Sequence, residues 1–99
     1  MHLEYASKEL ERICTEARYM QRKLNVQVAK SLKLRIAELR NSQEMADLLL
    51  GVGRWEELTG DRRGQWSGRL SGNWRLIVAP QPNGATTVLV VEITDYHRR

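Results

Sequence analysis

Apolar residues follow two different rhythms along this chain. Leu10, Ile13, Cys14, Ala17, Met20 and Leu24 recur at steps of three and four, the spacing that lines up one face of an α-helix. Ser7 stands where an N-cap belongs, so a first helix is predicted from Ser7 to Leu24. Behind Asn25, a second cap, Val28, Leu32, Ile36 and Leu39 form the next stripe, with Lys30, Lys33, Arg35 and Glu38 predicted outside it. Asn41 and Ser42 interrupt the pattern. "SQEMADLLL", capped by Ser42 and ended by Gly51, reads as a two-turn helix or a continuation of the second. The short "HLEY" before the first helix reads as an edge strand.

From Trp55 the period becomes two, and strands are predicted at Arg54 to Leu58, Gln65 to Leu70, Trp74 to Ala79 and Thr87 to Thr94. Asn83-Gly84 is a tight-turn signal, because both residues tolerate positive φ. A two-residue loop there would set Trp74 against Ile93, Leu76 against Val91, Val78 against Leu89 and Arg75 against Glu92, separating an apolar face from a charged one. Around Ser71-Gly72 the same test favours an odd loop or a bulge, which pairs Leu70 with Trp74, Arg69 with Arg75 and Trp66 with Val78. Trp66 and Trp74 then pack under the helices and Arg69 stands beside Arg75 on the open face, while Trp55 is assigned to neither side. The predicted class is α+β, two to three N-terminal helices on one face of a small antiparallel sheet.

Composition narrows the function. Ninety-nine residues make residues 1–99 one small domain, and 16 Lys+Arg against 12 Asp+Glu give a net charge of +4, which favours anionic partners. The single cysteine, Cys14, sits at an apolar helical position and reads as a buried thiol in a reducing compartment. No run approaches the length of a membrane span and the N-terminus lacks the regions of a signal peptide, so a cytoplasmic protein without membrane contact is expected. No CxxC, HExxH, Walker or GxGxxG pattern occurs, and neither a metal nor a cofactor is expected.

Two segments concentrate chemistry. "GDRRGQWSGRLSGNWR" holds Arg62, Arg63, Arg69 and Arg75 with no carboxylate after Asp61. Like charges opposite one another are unfavourable, so Arg69 beside Arg75 points to an anion between them, and a planar guanidinium fork suits phosphate. The second segment is Asp95-Tyr96-His97. RNA carries its own nucleophile, the 2'-hydroxyl, so cleavage needs a base, an acid and cations for the developing charge, which these residues and the arginines could supply. Strict alternation puts Asp95 and His97 opposite Tyr96, so the three cooperate only if the strand ends near Thr94 and the tail turns.

"LTGDRRGQWSGRLSGNWRLIV" followed by "VVEITDYH" resembles the C-terminal half of the HigB-type toxins of the RelE superfamily, the plasmid-maintenance killer proteins. The ordered pair GDRxGxWS...NWR and terminal DYH covers about half the chain. The resemblance implies a RelE-like toxin domain that enters the ribosomal A site and cleaves mRNA without a metal. Asp95, Tyr96, His97 and Arg75 match the family's catalytic residues, and Arg62, Arg63 and Arg69 would contact mRNA or ribosomal RNA. It also implies a HigA-like helix-turn-helix antitoxin as partner. Many members carry a lysine immediately before the GD, where this chain has Thr59. A non-catalytic module that binds RNA, the ribosome or an antitoxin is therefore the alternative.

Overall fold

The computed structural model describes residues 1–82 and 86–96. Strand β1 (His2–Tyr5) is followed by helices α1 (Lys8–Thr15), α2 (Ala17–Lys23) and α3 (Val26–Asn41), a 3-10 helix over Met45–Leu50, and strand β2 (Glu56–Glu57). A 3-10 turn at Gly60–Arg62 then leads into β3 (Trp66–Arg69), β4 (Trp74–Pro80) and β5 (Thr87–Asp95). The caps act as expected at two helices: Ser7 Oγ accepts from the Leu10 N–H at 3.1 Å, and Asn25 Oδ1 from that of Val28 at 2.8 Å. The third cap is Glu44, not Ser42, in a reciprocal capping box with Asp47.

The predicted first helix is two helices. Glu16 is extended at φ −110°, and the Thr15 hydroxyl bonds back to the Glu11 carbonyl at 2.7 Å, a contact that bends helices. The break lets α2 fold against α1, where Tyr19 donates to Glu9 at 2.5 Å and the Arg12 guanidinium lies 3.9 Å from the Tyr19 ring centroid.

The expected α+β layering is present, on a mixed sheet of order β1-β5-β4-β3-β2. β1 is an edge strand, but it joins β5 in parallel, with Leu3 beside Val88 and Tyr5 beside Val90. Leu32, Leu39, Val28, Leu76, Val78, Val88 and Val90 form the centre of the core between helices and sheet. The β3–β4 register follows the odd-loop expectation, pairing Trp66 with Val78 and Arg69 with Arg75, and both Trp66 and Trp74 pack against the core. β4–β5 differs from the two-residue-loop expectation: Val78 faces Val90, Ala79 faces Leu89, and after a register shift Ile77 faces Glu92, Arg75 faces Thr94 and Trp74 faces Asp95. Val91 is the extra residue of a bulge. The parallel contact with β1 requires Val88 and Val90 to face inward, so Leu89 and Val91 cannot take those places. The Asn83-Gly84 turn itself lies outside the described residues.

One helical assignment is reversed. Arg35 is 6% exposed rather than on the outer face, because it falls on the same stripe as Leu32 and Leu39. Its Nη2 donates to Glu38 Oε2 at 2.8 Å and its Nη1 to the Arg69 carbonyl at 3.1 Å. Trp55 is a core residue as well, donating from Nε1 to Glu38 Oε1 at 2.7 Å.

Candidate functional site

The helical layer packs on one face of the sheet, α1 against β1 and α3 against β1, β3 and β4, and the strand registers lay out the other face in rows. One row runs Glu92, Ile77, Ser67, Glu56, and the next runs Thr94, Arg75, Arg69. Neighbouring strands are about 4.8 Å apart, so Arg69 and Arg75 hold two guanidinium stems side by side, as the sequence leads one to expect. Tyr96, just beyond the end of β5, lies against Arg75 and so stands on this same face.

The two arginines differ in their commitments. Arg75 Nη1 donates to the carbonyls of Ser71 at 2.8 Å, Trp74 at 3.0 Å and Gly72 at 3.3 Å, which ties the guanidinium to the β3–β4 loop. Its other flank faces Tyr96, with Cζ 5.2 Å from the ring centroid, a cation–π approach. The Tyr96 N–H donates to the Asn73 carbonyl at 2.8 Å, so the end of β5 is anchored to the loop that holds Arg75. The Arg69 guanidinium makes no hydrogen bond or ion pair among the described residues.

Arg62 reaches from the turn after β2 to an ion pair with Glu92 on β5, and its Nε donates to Gln65 Oε1 at 2.9 Å. Given the strand order, that reach crosses β3 and β4 above Ser67 and Ile77, which accounts for the burial of that pair on a face without helices. Arg62 is thus partly neutralised by a carboxylate that sequence reasoning had set against Arg75. Arg63, beside it, is exposed.

Two hollows flank these groups. One, about 410 Å³, is lined by Leu58, Thr59, Arg62, Thr94 and Tyr96. Thr59, the position at which the resembling toxins carry lysine, therefore opens into the same space as Tyr96. The other, about 390 Å³, is lined by Arg54, Trp55, Glu56, Arg69 and Arg75. Arg54 and Glu56 were not singled out from the sequence, because neither belongs to a cluster or motif there.

Arg75, Arg69, Arg62 and Tyr96 thus share one face. Asp95 stands in register with Trp74 and, by alternation, shares the helical side with it. β5 ends at Asp95 and Tyr96 is no longer part of the strand, so the strand stops one residue beyond Thr94. His97 lies outside the described residues. Among the described residues, no three His, Cys, Asp or Glu side chains are grouped to hold a metal ion, and no helix is long and apolar enough to cross a membrane.

No protein-family model matches this chain, and no curated protein does. Solved structures do match. The YoeB/ParE toxin from Agrobacterium tumefaciens is 18% identical with a TM-score of 0.68, over 96% of this chain and 98% of that one. The YoeB dimer from Staphylococcus aureus is 18% identical with a TM-score of 0.63, over 98% of this chain and 97% of that one. YafQ from E. coli is 16% identical with a TM-score of 0.59, over 97% of this chain and 93% of that one. Over nearly its whole length, then, the chain has the fold shared by the YoeB/ParE toxin and YafQ.

Proposed function

We infer that this chain is the toxin of a type II toxin–antitoxin pair and acts in the cytoplasm as an endoribonuclease on mRNA in the ribosomal A site. The reading joins the toxin fold to the GDRxGxWS...NWR and DYH motifs, which favour the HigB type among such toxins. The observation that carries it is the convergence of Arg75, Arg69 and Tyr96 on the face left bare by the helices.

In this reading a phosphodiester of RNA lies against Arg75, whose fixed guanidinium meets the developing charge without reorganising, and Arg69 adds a second cation. Tyr96 orients the phosphate or the 2'-hydroxyl. His97, the next residue, carries the proton transfers that start 2'-hydroxyl attack and release the 5'-oxygen. Asp95, set on the other side of β5, is assigned a lesser part in acid/base chemistry. Arg62 and Arg63 contact mRNA or ribosomal RNA, Arg62 by exchanging Glu92 for phosphate. No step calls for a metal, because the 2'-hydroxyl is an internal nucleophile.

A helix-turn-helix antitoxin of the HigA type is the proposed partner. Among the solved neighbours, one is a YoeB-YefM complex and another is described as a heterotetrameric YoeB-YefM toxin-antitoxin complex.

The second reading, an RNA-binding module without cleavage, draws on Thr59. Among the described residues, the hollow beside Tyr96 has no lysine, and its one cation is paired with Glu92. Expression in bacteria separates the two. A nuclease arrests growth and leaves cut mRNAs, Arg75→Ala lowers cleavage on programmed ribosomes by about 10²-fold or more, and His97→Ala relieves the arrest. Arrest that survives both substitutions overturns the site assignment, whereas RNA binding without cut message supports the module.

A further inference from the structure

The second hollow contains a feature that the proposed chemistry leaves unused. Arg54 is at φ 50°, the one non-glycine residue among those described with positive φ. An L-residue disfavours that region by roughly tenfold in population, and such outliers cluster where function demands them. Glycine would occupy it freely, and glycines stand at 51 and 53, yet position 54 is arginine.

The neighbours impose the conformation. The Gly53 carbonyl accepts the Arg69 N–H at 2.8 Å, which fixes one side of Arg54 to β3. On the other side Trp55 is held to α3 through Glu38, and a Cβ on Gly53 would stand 2.6 Å from both Glu38 Oε1 and Trp55 Nε1. Between these two anchors the chain must turn at Arg54, and the turn leaves its side chain at the rim of the hollow shared with Arg69 and Arg75.

The charges there do not balance. Among the described residues neither Arg54 nor Arg69 has a hydrogen bond or ion pair, Arg75 gives only Nη1 to the loop carbonyls, and no ion pair joins Glu56 to any of the three. Three guanidinium groups against the single carboxylate of Glu56 around one cavity of about 390 Å³, walled on one side by a tryptophan, leave an excess of positive charge that an entering anion relieves.

We propose that this hollow is a phosphate subsite for RNA, formed by Arg54, Arg69 and Arg75, and that Arg54 is its third cation, presented by a strained backbone. The proposal rests on reading the bare face as an RNA surface and adds to it a binding residue placed at a cost in folding stability.

The test uses the full chain and a fluorescent single-stranded RNA with a 2'-O-methyl group at every position, which binds but cannot be cut. Arg54→Gly removes both the cation and the strain. It is expected to weaken binding about tenfold, to lower the slope of log affinity against log salt by about 0.7, and to keep or raise the melting temperature. Arg54→Lys is expected to retain the slope, since a point charge suffices for phosphate. Wild-type affinity and slope in Arg54→Gly, alongside weakened binding in Arg75→Ala, overturn the subsite while leaving the RNA surface standing. A fall in melting temperature in Arg54→Gly overturns it too, because Arg54 is then structural. If Arg75→Ala also binds as wild type, or if the wild-type protein does not bind, the RNA reading fails and the subsite with it.

Discussion

A guanidinium as enclosed as that of Arg35 is tolerable only with its carboxylate. Glu38 meets Arg35 through one oxygen and the Trp55 indole through the other, so its loss strands two buried donors. Glu38→Ala is expected to cost about 3–5 kcal/mol in urea unfolding, and Arg35→Met less, since the carboxylate left behind is 23% exposed, keeps the Trp55 donor and reaches water. Equal costs would show that the pair does not behave as a buried one. Cys14 makes a second single-residue prediction. Burial pushes its thiol up to about 12 from an ordinary 9.0, with Arg40 opposing, and burial raises Tyr5 as well. The folded thiol holds its proton where the unfolded one has lost it, so this stabilisation is complete below pH 9 and disappears as pH climbs towards 12. Cys14→Ala should flatten the alkaline fall in stability across that window, and a thiol reagent at pH 8 should label Cys14 only after denaturation. At the functional face, Thr59→Lys places a cation in the hollow beside Tyr96, and a rise in ribosome-dependent cleavage of about 10² is expected from one added stabilising group. An unchanged rate would remove Thr59 as support for the reading without cleavage.

Elements depend on contacts between layers, and Gly68 makes a close one between β3 and the Trp55 ring. A methyl group there would lie 2.7–2.9 Å from three atoms of the Trp55 ring, which the Glu38 hydrogen bond holds in place. Gly68→Ala should therefore cost about 1–3 kcal/mol, read as a lower urea midpoint, and Trp55→Phe in the same chain should recover part of it. The same level shows what the amino-acid pattern reveals. Trp66, Leu70, Trp74 and Val78 are apolar in only one register, so the β3–β4 loop and the Arg69–Arg75 pair could be read directly. Val88 to Val91 are apolar in both frames of a strand, so nothing in that run marks the bulge, and the turn chemistry of Asn83-Gly84 points to the wrong frame. The kink at Glu16 was hidden for a similar reason: the three-and-four spacing continues through it. Arg35 was misplaced because its charge outweighed its position on the stripe. Arg54 carries no signal in a linear pattern, since its interest lies in a backbone angle set by β3 and α3 together.

At the scale of the molecule the two faces of the sheet are divided between stability and recognition. Helices cover one, while the other has Arg54, Arg69 and Arg75 around a hollow and Arg62 bridged to Glu92. Three phosphate contacts to a single strand imply a slope near −2 in log affinity against log salt, or roughly a twentyfold loss between 50 and 200 mM salt. Lys30, exposed on α3, provides the control. Lys30→Glu changes the net charge by two but lies on the helical side, so the slope for RNA should stay where it was, while Arg69→Glu should reduce it. A slope that follows net charge regardless of face would show a diffuse field rather than a defined surface.

The bulge at Val91 gives one strand two independent phases. Residues upstream answer to the hydrophobic interior and the parallel neighbour; those downstream answer to whatever crosses the opposite surface. Mutational drift in the last few positions can thus retune recognition without loosening the interior. Trimming the chain by one residue at that point should leave the pairing downstream as it was, whereas the same deletion elsewhere in the strand would turn its side chains inside out.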